Sequence, residues 1–138
     1  MKNFTKDEFS NFDEMNYGFV SYLDVARSIA ETPFVLTSTF RTPEENAKVG
    51  GKPDSAHLDG YAADIAVSGS RARFEIIVGL ILANLVKYSD VTVDEALAMK
   101  EIITQEGVGI NRIGIGSDFI HVDCDPTKDP EVVWLYDK

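Results

Sequence analysis

The sequence predicts an α+β fold in which a small, mainly antiparallel sheet is flanked by helices. Three observations lead there: the candidate elements run helices, strand, helix, strand, helices, strands; the strand candidates are short; and the last two are separated only by Ser117-Asp118, as in a paired set. With 138 residues the chain suits one domain, 1–138, around one core.

The elements follow in order. Thr5 and Glu8 have capping-box spacing, and Glu14 to Ala30 places Phe19, Leu23, Ala26 and Ile29 near helical periodicity before Thr32-Pro33, which predicts two N-terminal helices. Phe34 to Phe40 is β-branched and aromatic and reads as a strand. Thr42-Pro43-Glu44-Glu45 then supplies an N-cap, a first-turn proline and a capping-box Glu for a short helix ending at Gly50-Gly51. Lys52 to Gly60 is turn-rich and leads into a strand over Tyr61 to Val67, so His57 falls on a loop and Asp64 within a strand. Ser70 to Val86 is a strongly apolar helix, and Val93 to Gln105 is a second one broken by Gly107. Asn111 to Gly116 and Phe119 to Asp123 are the final strands.

Composition removes several classes of function. The formal charge is −10, with no Lys/Arg cluster, which argues against nucleic-acid binding and against adhesion to anionic surfaces. A lone cysteine, Cys124, excludes an internal disulfide and a four-thiolate zinc site, so any metal must be held by His and carboxylates. The N-terminus has no apolar core of signal-peptide length, and Gly79 and Asn84 interrupt the longest apolar stretch. A soluble, membrane-free protein made in the cytoplasm is expected, with a monomer the simplest state.

The chemistry concentrates on two histidines. His57 precedes Asp64 by seven residues, and His121 shares a strand face with Phe119 and Asp123 by period-two alternation. A catalytic zinc ion needs three such nitrogen and oxygen ligands with one position left for water. Each histidine taken singly reads more readily as an ordinary surface or satisfied core residue than as a ligand.

Ser55-Ala56-His57-Leu58-Asp59-Gly60-Tyr61-Ala62-Ala63-Asp64 resembles the S-x-H-x-x-G-x-A-x-D motif of the zinc D-alanyl-D-alanine carboxypeptidase family, which also includes phage L-alanyl-D-glutamate endopeptidases. The resemblance extends upstream to Ser38-Thr39-Phe40-Arg41-Thr42-Pro43 and downstream to Gly114-Ile115-Gly116 and Phe119-Ile120-His121-Val122-Asp123, covering about residues 34 to 125. It implies the fold shared by these peptidases and hedgehog-type signalling domains. It also implies zinc ligation by His57, Asp64 and His121, Asp118 as general base, and Arg41 as a clamp for a substrate carboxylate or for the carbonyl that becomes the oxyanion.

The implied reaction is hydrolysis of a peptide bond in peptidoglycan stem peptides. Zinc lowers the pKa of a bound water to about 7, and a nearby carboxylate takes its proton and passes it to the leaving amine. Residues three apart in a strand face opposite ways, so Asp118 must sit in the turn before His121. Asp123, on the face of His121, is the alternative base or a partner that fixes the histidine. Ser55 is either a substrate-side hydroxyl or a turn residue. Cys124 falls on the opposite strand face from His121, where a buried, inert thiol is expected, and Trp134 and Tyr136 read as packing residues.

An endopeptidase of the phage endolysin type, reaching the wall on lysis, is the leading reading. A cytoplasmic D-alanyl-D-alanine dipeptidase and a non-catalytic zinc-binding module are the alternatives. The stretch between Lys87 and Gly107 is longer than in compact family members and inserts the second helical candidate.

Overall fold

The computed structural model describes residues 1–103 and 111–137. They form two compact units, one of Met1–Asp24 and Pro33–Ala66, the other of Val25–Thr32 and Val67–Lys138. The α+β class holds, with the strands in two small sheets.

In the first unit the Glu8 carboxylate accepts the Thr5 N–H at 2.7 Å, as the capping-box spacing predicts. The turn it starts is only a 3-10 turn, Lys6–Glu8, followed by another at Phe12–Glu14. Asn11 between them takes a left-handed conformation, φ 53°, which stops helical propagation. The first predicted helix is therefore a pair of turns, and the second, α1 (Tyr17–Ala30), begins later than predicted. The Asn16 side chain caps it by accepting the Phe19 N–H at 3.0 Å. Phe4, Phe9 and Phe34 are buried, with Phe4 edge-on to Phe9 at 5.4 Å and to Phe34 at 6.4 Å. The Asp24 carboxylate ties the N-terminal segment down through the N–H groups of Lys2 and Asn3 at 2.9 and 2.8 Å.

Strand β1 (Val35–Ser38) pairs antiparallel with β2 (Asp64–Ala66), with an irregularity that sets Ser38 opposite Asp64. Between them lies α2 (Pro43–Lys48), whose N-cap Thr42 and Glu45 form the predicted capping box. It ends at a left-handed Gly50.

The second unit contains α3 (Ser70–Tyr88), α4 (Val93–Ile103) and a sheet ordered β4-β3-β5, formed by β3 (Arg112–Ile115), β4 (Ile120–Asp123) and β5 (Val132–Leu135). The predicted end of α4 at Gln105 and its break at Gly107 lie outside the described residues. Gly79 of α3 lets that helix approach the end of α1 closely, because a Cβ there would stand 2.6 Å from the Ala26 carbonyl oxygen. Lys100 of α4 is buried and donates to the carbonyls of Ile29 and Ala30 at 3.1 and 2.8 Å, which α1 leaves without helical partners. Glu75 of α3 completes its ion pair.

β3 and β4 pair antiparallel, as predicted, while β5 runs parallel to β3. Val132 and Val133 of β5 are buried. The expectation for Cys124 is corrected: it is exposed. The face opposite His121 carries Ile120 and Val122, themselves 62% and 50% exposed, so among the described residues that face of the sheet stays open. Among the described residues, no helix is long and apolar enough to cross a membrane.

Candidate metal centre

His57 lies in a 3-10 turn, Ala56–Asp59, that local sequence dictates. Ser55 caps it by accepting the His57 N–H at 3.3 Å, and Gly60 closes it in the left-handed conformation at φ 76°. Ser55 thus acts on the backbone of the histidine, in the manner of a turn residue. The His57 ring is buried, with Nδ1 2.6 Å from the Thr39 carbonyl oxygen. A carbonyl only accepts, so Nδ1 carries a proton and, in the neutral ring, Nε2 keeps its lone pair. That nitrogen stands 3.4 Å from Asp64 Oδ1 at the start of β2.

Two lone-pair donors are thereby held side by side. Ligands about 2.0 to 2.1 Å from a tetrahedral ion stand about 3.3 Å apart, so the pair fits two vertices of a zinc site. Arg41 fixes the carboxylate from the other side: Nη2 is 3.4 Å from Asp64 Oδ2, Nε donates to Ser38 Oγ at 3.0 Å, and Nη1 reaches Asn46 Oδ1 at 3.3 Å. The guanidinium is held by three partners and is not a loose surface charge.

The second unit builds a cluster of its own around His121. Strand register puts His121 opposite Gly114, and Gly114 opposite Trp134, in one row. A Cβ on Gly114 would stand 2.6 Å from the Trp134 ring. Glycine there admits the indole, whose centroid is 5.4 Å from the imidazole. His121 Nε2 is 2.6 Å from Asp123 Oδ2, and Asp123 Oδ1 accepts from Arg112 Nε at 2.8 Å and from the Asp125 N–H at 3.0 Å.

The Asp125 N–H, then His121, then Arg112 hold the Asp123 carboxyl down at about 2. An ionised carboxylate only accepts, so a neutral His121 carries its proton on Nε2 and leaves Nδ1 bare. As neutral rings, the two histidines therefore take opposite tautomers. Asp118 lies exposed in the turn between β3 and β4, as strand parity requires.

Among the described residues, no three His, Cys, Asp or Glu side chains form a group that would hold a metal ion. Each histidine has its own carboxylate neighbour, Asp64 for His57 and Asp123 for His121. The Thr39 carbonyl, Arg112 and Trp134 were not anticipated from sequence.

A family model described as Peptidase M15 matches residues 4–80, more than half of the chain. The protein belongs to the Peptidase M15 family. The matched stretch contains Arg41, Ser55, His57 and Asp64, the whole of the first histidine's surroundings. Searches among curated proteins and solved structures gave no match. Membership of Peptidase M15 makes the protein a peptide-bond hydrolase of the metallopeptidase class.

Proposed function

We propose that this Peptidase M15 member is a zinc peptidase that cleaves a peptide bond in bacterial peptidoglycan stem peptides, as an endopeptidase of the endolysin type acting on the cell wall. His57, Asp64 and His121 would hold the metal. The observation that carries the reading is the paired presentation of His57 Nε2 and Asp64 Oδ1, 3.4 Å apart, with the imidazole proton committed to Thr39. Zinc in such a site supplies a Lewis acid that polarises the scissile carbonyl and activates water.

The chain's own groups account for the remaining roles. Asp118 accepts the proton of the attacking water and returns it to the leaving amine. Asp123 is less suited to act as the base, because its lowered pKa makes it a weak proton acceptor and both oxygens are already engaged. Arg41 keeps N–H donors beyond its three contacts and offers them to a substrate carboxylate or developing oxyanion. Ser55 supports the site through the His57 backbone.

The test is digestion of purified sacculi, followed by mass spectrometry of the released fragments. A zinc endopeptidase should give fragments cut within the stem peptide, with loss of cutting on chelation and its return with zinc. Cleavage of free D-alanyl-D-alanine alone would move the assignment to a dipeptidase. Binding of zinc with no hydrolysis of either substrate would make the protein a non-catalytic module.

A further inference from the structure

His121 is held by a hydrogen bond to Asp123 and a ring contact with Trp134, and Arg112 meets both of those partners. β3 register sets Arg112 opposite Asp123 on one side and Val132 on the other, so the guanidinium lies on the sheet face that carries His121. Its Nε donates to Asp123 Oδ1 at 2.8 Å, Nη1 donates to the Asp129 carbonyl, and the guanidinium carbon stands 5.2 Å from the Trp134 ring centroid. Trp134 flanks His121 in turn.

The Arg112 side chain is only 13% exposed, so both of its outward directions, toward carboxylate and toward indole, are occupied by this cluster. An aspartate held only by an imidazole could rotate about its terminal torsion and offer either oxygen, or leave for water. With Oδ1 taken by Arg112 and the Asp125 N–H, Oδ2 is the oxygen left for His121 Nε2.

We propose that Arg112 is a positioning residue: through Asp123 it commits His121 to the Nε2–H tautomer and turns Nδ1 outward as the free donor. The role of Nδ1 as a zinc ligand rests on the function proposed above; the tautomer does not. Lysine cannot replace Arg112, because a single ammonium lacks the planar fork that meets a carboxylate, a carbonyl and an indole face together.

Nitrogen-15 NMR of the zinc-free, full-length protein reads the inference directly, since the chain has only two histidines. At a pH where both rings are neutral, the wild type should show His57 protonated on Nδ1 and His121 on Nε2. Arg112→Gln should leave His57 unchanged and give His121 a mixture of tautomers. Zinc affinity, measured by competition with a chromophoric chelator, should fall about 10- to 100-fold in Arg112→Gln. The loss should not add to that of Asp123→Asn, because both act through one contact.

Arg112→Lys and Arg112→Met keep the aliphatic stem against Trp134. They serve as folded comparisons, with His121 expected to lose its single tautomer in each. A His121 that stays wholly Nε2–H in all three Arg112 variants, with only the melting temperature lowered, would reduce Arg112 to a packing residue and overturn the inference. Tautomer loss in a protein that binds no zinc would uphold the inference and sink the zinc reading.

Discussion

His57 shows how a residue's surroundings decide what it offers. Its buried ring gives one nitrogen to the Thr39 carbonyl and leaves the other beside Asp64. Replacing it by Ala should lower zinc affinity by at least about a hundredfold, as isothermal titration would show, since one of few donors is lost. Gly60, which closes the same turn at φ 76°, cannot take a side chain, because a Cβ would stand 2.2 Å from the Glu14 carbonyl oxygen. Gly60→Ala should cost about 1–3 kcal/mol by denaturant unfolding, from the left-handed backbone alone. The turn of His57, the strand position of Asp64 and the turn position of Asp118 were legible in sequence, because caps, glycines and strand parity are local signals. The Thr39 carbonyl was not, since a backbone acceptor 18 residues away leaves no side-chain pattern. Arg112 was missed because an arginine at a strand start looks like any solvated charge. Cys124 departs from expectation because parity gives the face of a strand and not whether anything covers that face.

At the scale of elements, the sequence patterns predicted what a single element can determine. Thr42 and Pro43 start α2 as predicted, and the apolar run from Ser70 makes α3. Strand β5 escaped notice because its pairing partner, β3, lies far back in the chain, and a parallel neighbour leaves no turn motif beside it. The N-terminal turns were over-read as a helix because capping spacing marks a start without guaranteeing propagation. Packing between α1 and α3 makes a sharp prediction. Gly79→Ala should destabilise the protein by about 1–3 kcal/mol in denaturant unfolding, because the Ala26 carbonyl is backbone and cannot swing aside. Lys100→Met keeps the length of the side chain but strands Glu75 and the two α1 carbonyls. A loss of about 3–5 kcal/mol is expected, read as a shifted urea midpoint.

For the whole molecule, the acidic balance bears on solubility and partners and leaves the reaction undetermined. Family membership and residue chemistry meet in the proposed function: a match over residues 4–80 covers His57 and its carboxylate neighbour Asp64, while His121 lies outside the matched stretch beside Asp123. Zinc at about a hundred times its dissociation constant should stabilise the fold by about 2.7 kcal/mol and raise Tm by several degrees, an effect a chelator should reverse. The most direct measurement is the zinc content of the purified protein after exhaustive dialysis, compared with His57→Ala, Asp64→Ala and His121→Ala. One zinc per chain is expected in the wild type, with a large loss in every variant. No zinc in the wild type, or an undiminished content in any of the three folded variants, would contradict zinc ligation by these residues.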